Sequence, residues 1–318
     1  MPTRTERTEA SGEAQMRLFE MHGGGHALPY SASLLKSATQ KAVRRGRADC
    51  AAACLKSLLL KDGSAATRRL PIIVMEDALL HPGFAELIRL MTVASGRSGL
   101  TTPQHEWVLR VGAAAAIVEV RDPPPAIHPL RGAPVGELSR LPAAEAELVR
   151  ALRQRAAAGG MRYDRGMLRE YAGIWFQRFV SGEWSVDRLA HVWSPAWAKT
   201  ERYAWDSVAP AGPADILPEA VDFHCTSIVT WLLNRPAIRQ MVADAFPTRG
   251  ADRVLQTVIW LTRSSINLKT MIGFDRPWDW ERDAPVAWGE GTHEKLKRIG
   301  AAIEPHLNCY AELVRRVV

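Results

Sequence analysis

The sequence predicts a mainly α-helical protein, and three observations carry that prediction. Apolar residues recur at three- and four-residue intervals along most of the 318 residues. Sustained apolar–polar alternation, the mark of a half-buried strand, appears nowhere. Clusters of proline and glycine punctuate the periodic stretches, most plainly at Arg121-Asp122-Pro123-Pro124-Pro125. The chain divides accordingly into a disordered tail (1–27), a helical bundle (28–121), a Pro/Gly linker (122–142) and a tryptophan-rich helical domain (143–318).

In the bundle, Leu34, Leu35, Ala38, Ala42 and Val43 form one helical face, with Lys36, Gln40, Lys41 and Arg44 between them. Ser31 or Ser33 can cap its start, and Arg44-Arg45-Gly46 suits its end. A second helix runs from Ala48 to Leu60, and Lys61-Asp62-Gly63-Ser64 breaks it. A third starts near Ala65 and reaches Glu76-Asp77, with a kink or fresh start expected at Pro71. Thr101-Thr102-Pro103 opens a helix that carries Trp107, Leu109, Val111 and Ile117 toward Val120.

The prolines from 123 to 142 favour extended chain lying over the surface. An alanine-rich helix, Ala143 to Ala158, then ends at Gly159-Gly160. Beyond Tyr171 lie all but Trp107 of the 11 tryptophans. Helical spacing there joins Trp175, Phe176 and Phe179, then Ile228, Val229 and Trp231, then Val254, Val258 and Ile259. The last helix, from His293 to Val318, places Leu296, Ile299, Ile303 and Leu307 on one side.

The order of charged and small residues between Ser33 and Met91 is more particular than amphipathicity demands. Lys36, Ser37, Ala38, Gln40, Lys41, Arg44, Arg45 and Gly46 come first, then Arg68, Arg69, Leu70, Glu76, Asp77 and His81-Pro82. This order resembles the C-terminal helical collar of the bacterial clamp-loader-like AAA+ ATPases that maintain stalled replication forks. The match covers about 60 residues, under a fifth of the chain. No GxxxxGK[ST] motif is present, and Gly23-Gly24-Gly25 lacks the lysine and strand of a phosphate cradle. The resemblance therefore implies a collar used without its motor. It would serve oligomerisation or docking with replication and repair proteins.

Composition sets the remaining bounds. At 47% hydrophobic the chain can bury a large core, yet no apolar run is long enough to span a membrane. The first residues lack a hydrophobic segment of the secretory kind, and Cys50 and Cys54 read as buried thiols, so a cytoplasmic address is expected. A net charge of +7 favours anionic partners, DNA first among them. The densest cationic cluster, Lys41, Arg44, Arg45, Arg47, Arg68 and Arg69, is either a phosphate-binding patch or a solvated helix face.

Asp222, His224 and Cys225 are the candidate catalytic group, since a carboxylate, an imidazole and a thiol within four residues can supply a base and a nucleophile. On one helix His224 would point away from the other two, so a distant His191 or His293 would be needed, and the same residues serve equally as core and cap. Arg263, Ser264, Ser265, Asn267 and Lys269 form a donor-rich set suited to phosphate or to buried hydrogen bonds. Trp193 to Trp205, with Lys199 and Arg202, has the make-up of a single-strand stacking surface or of ordinary packing. Trp278-Asp279-Trp280-Glu281 is too acidic for a nucleic-acid backbone. His22 and His26 lack a third ligand, so no metal and no cofactor are expected. The sequence thus favours a non-enzymatic, DNA-associated adaptor over two alternatives, an enzyme built on Asp222, His224 and Cys225 and a purely protein-binding adaptor.

Overall fold

The computed structural model describes residues 28, 30–96, 99–201, 226–263, 269–273, 289 and 291–317. They fold as α-helices apart from turns, one two-stranded ladder and the largely irregular 122–142 segment, which carries two short 3-10 helices, Pro125–Ile127 and Leu138–Arg140. The first helix, α1 (Ala32–Arg44), starts at Ser31, whose hydroxyl accepts the Leu34 N–H at 3.2 Å. It closes at Gly46, where a φ of 73° is open to glycine at no steric cost. Helix α2 (Ala48–Asp77) is two helices fused at Asp62, which leaves helical geometry at φ −157°, ψ 83°. There the Asp62 carboxylate accepts the Ala65 N–H at 2.8 Å and caps the second part. Pro71 stays within the helix, so the bend falls at Asp62 and not at the proline.

Helices α3 (Phe84–Ala94) and α4 (Thr102–Ile117) follow, α4 beginning where Gln104 Oε1 accepts the Thr101 N–H at 2.8 Å. Strand β1 (Val120–Arg121) leads into the proline segment, and α5 (Ala143–Ala157), α6 (Arg162–Val180) and α7 (Val186–Thr200) complete the front of the molecule. Helix α2 is the axis: α1, α3 and α4 pack on it, α5 reaches it through α3, and α7 leans on α4.

The apolar core crosses the 122–142 segment instead of stopping there. One continuous cluster runs from Leu28 to Ala196 and takes in Leu141, Tyr171, Trp175, Trp184 and Trp193. The segment lies against α6 so closely that a Cβ at Gly173 would sit 1.8 Å from the Ala133 carbonyl oxygen. Glycine is the residue that allows this approach. The expected linker is therefore a wall of the front unit, and the first half of the expected tryptophan domain belongs to that unit as well.

A second, separate core joins α8 (Thr226–Leu233), α9 (Pro236–Ala245), α10 (Ala251–Arg263) and α11 (Thr292–Val317) through Ile228, Leu232, Val258, Ile299 and Ile303 among others. Strand β2 (Thr270–Met271) pairs in parallel with β1, Val120 opposite Thr270 and Arg121 opposite Met271. No helix among the described residues is long and apolar enough to cross a membrane.

Candidate functional site

The cationic cluster read from the sequence is taken apart by the fold. Arg44 lies inside, its Nε donating to Asp77 Oδ1 at 2.7 Å with Glu76 Oε1 at 3.8 Å from its Nη2. Arg69 is nearly enclosed, with Nη1 on Asp164 Oδ2 at 3.0 Å and Nη2 on Gln40 Oε1 at 2.6 Å. Lys41 is buried too. These three do not belong to a solvent-facing patch, because α1 turns its polar side onto α2. Arg45 and Arg47 remain half-exposed, Arg47 beside Asp49 at 3.7 Å, and Arg68 is exposed.

What the buried residues build is a cluster on the α1–α2 seam. Gln40 Nε2 donates to Glu76 Oε2 and to Asp77 Oδ2, each at 2.8 Å, while its carbonyl receives Arg69. Arg121 Nη2 donates to the Glu76 carbonyl at 3.0 Å. Lys269, the residue just before Thr270, donates to the carbonyls of Asp77, at 2.9 Å, and Ala115. Those carbonyls close α2 and α4, where helix dipoles favour a cation. Burial alone would raise the Asp77 carboxyl, but Arg44 and Arg121, with hydrogen bonds from Arg44 and Gln40, hold it below its ordinary range. Glu76 goes the other way: burial and the Asp77 charge lift it above its ordinary value, against Arg44, Arg69 and Gln40. Burial lowers the Lys269 ammonium to about 7. The cluster is a fastener between helices, with every carboxylate engaged.

Two further buried polar groups hold the later helices. Asp122 accepts Arg178 Nη1 at 2.9 and 3.0 Å, and Arg178 Nη2 lies 2.8 Å from His128 Nε2, with the guanidinium 4.7 Å from the Trp175 ring centre. His81 stands edge-on to Trp193 at 4.6 Å and to Trp107 at 5.9 Å, its Nδ1 accepting the Gly83 N–H. Burial pushes this imidazole down to about 3, so it is neutral. Trp193 is buried and donates to the Leu80 carbonyl at 3.1 Å, so it packs α7 inward and offers no stacking surface. Trp197 is half-buried beneath Arg110, 4.3 Å away.

An open cleft of about 570 Å³ lies between the 125–131 segment and the first turns of α6. Pro125, Ala126, Met167 and Gly166 floor it; Arg131, Arg162, Tyr163 and Glu170 supply its polar and aromatic groups. Tyr163 is 64% exposed, and its phenol is raised first by partial burial and then by the Glu76 charge, which sets it beside the fastener. Sequence reading passed over this stretch, Met161-Arg162-Tyr163-Asp164-Arg165-Gly166-Met167-Leu168-Arg169. The signal was there: Arg162, Arg165 and Arg169 stand at i, i+3, i+7, one side of a helix.

Asp222, His224 and Cys225 lie outside the described residues, as do His22, His26, Ser264, Ser265, Asn267, Arg202, Trp205 and the Trp278–Glu281 stretch. Of the donor-rich set near 263–269, Lys269 is the member whose side chain is described, and it is committed to the front unit. Among the described residues no group of three potential metal ligands converges.

Fold and site together define a helical protein whose front unit is locked by buried ion pairs and opens to solvent a cleft that carries Arg131, Arg162, Tyr163 and Glu170. Comparison with protein-family models, with curated proteins and with solved structures finds no match for the chain.

Proposed function

We propose that this protein is a non-enzymatic accessory of DNA replication or repair, acting in the cytoplasm by docking or self-association through the helices of residues 28–121. One observation carries the reading. Gln40, Arg44, Arg69, Glu76 and Asp77, which bear the resemblance to the clamp-loader-like collar, meet in a single hydrogen-bonded cluster although they sit on two helices. A residue order that specifies a module needs such convergence, and charged residues kept for solubility alone would not produce it. The net charge of +7 supports an anionic partner, and the half-exposed Arg47 and exposed Arg68 are placed to meet phosphate.

Size-exclusion chromatography with light scattering, run with and without an oligonucleotide at low salt, tests both halves of the proposal. The expected result is a mass above the 35.2 kDa of one chain, or a stable complex with the oligonucleotide that dissolves as salt rises. A 35.2 kDa species that leaves the oligonucleotide unbound at low salt overturns the proposal.

A further inference from the structure

Met161 and Tyr163 are the large apolar side chains that the described residues leave exposed, at 44% and 64%, and both stand at the start of α6. Tyr163 lines the 570 Å³ cleft, whose size falls within the range of small-ligand sites. Arg162, Arg165 and Arg169 follow on one side of the helix, a run of about 10 Å along its axis. Among the described residues none of the three is paired with a carboxylate, and Arg165 Nε is enclosed without an acceptor. Arg162 lines the cleft and Arg131 faces it from the opposite wall, while Arg165 and Arg169 stand outside the lining, further round the helix.

We propose that this cleft binds single-stranded nucleic acid, with one base stacked on Tyr163 inside it and the neighbouring phosphates held by Arg162, Arg165 and Arg169. The inference rests on the nucleic-acid reading above and moves its centre from the α1–α2 seam to α6. An exposed aromatic ring beside a cationic track is what strands without a duplex require, since every base has a face to stack and every linkage a charge. Glu170 decides between a base and the apolar anchor of an acidic peptide. Its Oε2 accepts the Gly132 N–H at 2.9 Å, which fixes the 125–131 segment and leaves the carboxylate facing the cleft. An aliphatic side chain filling the space would strip water from that carboxylate and return no donor. A base brings an exocyclic amino group that donates to it, as cytosine N4 does to acidic side chains. The same carboxylate repels phosphate and directs the backbone to the arginine side.

Fluorescence anisotropy of a labelled oligodeoxycytidine with the full chain tests this, with circular dichroism to check that each variant keeps its helices. Arg162→Glu/Arg165→Glu/Arg169→Glu is expected to weaken binding at least about 100-fold, and the slope of log affinity against log salt to shrink by about 2, near 0.7 for each lost phosphate contact. Tyr163→Ala is expected to cost about 5- to 100-fold, the worth of one stacked base, whereas Tyr163→Phe retains binding. Oligothymidine, which lacks the amino group, is expected to bind more weakly than oligodeoxycytidine. If the chain binds the oligonucleotide but these variants bind as tightly, and Arg45→Ser/Arg47→Ser/Arg68→Ser abolishes it, the cleft is excluded and the broader reading survives. Absence of binding at low salt removes both. Tighter, Tyr163-dependent binding of a glutamate-rich peptide carrying one phenylalanine would make the cleft a peptide site and overturn the proposal.

Discussion

The front and back units hide different things. In the front unit the interior holds Gln40, Arg44, Asp77, His81, Asp122, Asp164 and Arg178 among its aliphatic residues. In the back unit the buried side chains described for α8–α11 are all apolar. Apolar contact is non-directional and tolerates sliding, whereas a buried ion pair is satisfied in one register only. The front unit therefore gains a fixed arrangement of α1, α2 and α6, the last of which forms one wall of the cleft. The price is vulnerability, because each buried charge depends on partners supplied by another element.

Acid should separate the two units most sharply. His81 titrates near 6.5 when unfolded and near 3 when folded, so the unfolded chain takes up a proton that the folded chain refuses between those values. The His81 contribution to stability is whole above about pH 6.5 and falls as pH drops toward 3, by up to about 5 kcal/mol at 1.36 per unit. The depressed Asp77 acts in the same sense below its unfolded value, while the raised Glu76 acts in the opposite one. Hydrogen exchange followed by mass spectrometry at about pH 7 and about pH 4 should show the front helices losing protection ahead of α8–α11. His81→Leu should flatten that loss; equal loss in both units with His81→Leu unchanged from the parent would break the distinction.

Asp77→Ala comes next, at about 3–5 kcal/mol, because it strands Arg44 in a site closed to water. Urea unfolding measures it. Replacing Arg44 as well, as Arg44→Met/Asp77→Leu, should recover much of the loss, and a double variant no better than the single would deny the ion pair its role. The smallest effect belongs to the back unit: Ile303→Val should cost about 1 kcal/mol, with no dependence on pH. A cost several times larger would mean that α11 is held by more than side-chain packing.

How far the fold could be read depended on the distance to each residue's partner. The bounds of α1, α5 and α11 lie in local signals: the Ser31 hydroxyl, the Gly159-Gly160 pair, and an apolar stripe with period near 3.6. The break at Asp62 was legible from Asp62-Gly63-Ser64, and Pro71 misled because one missing N–H does not unseat a helix that is packed on several sides. The polar face of α1 looked solvated since Gln40 and Arg44 find Glu76 and Asp77 only 33 to 37 residues later. Tryptophans grouped in sequence looked like one domain, yet Trp193 closes on Leu80 and His81, 113 residues upstream in the case of Leu80. Of the site, the arginine spacing on α6 was written in the chain, while the opposing wall at 125–131 required the fold to bring it near.

Lys269 sets an order on biosynthesis. Its ammonium closes the carbonyl ends of α2 and α4 from 192 and 154 residues further along the polypeptide. A ribosome translating at about 5–20 residues per second would release Asp77 roughly ten to forty seconds before that plug emerges. Until then the front helices hold a slot with two oxygen atoms awaiting a cation, and a product truncated before residue 269 would keep it unfilled.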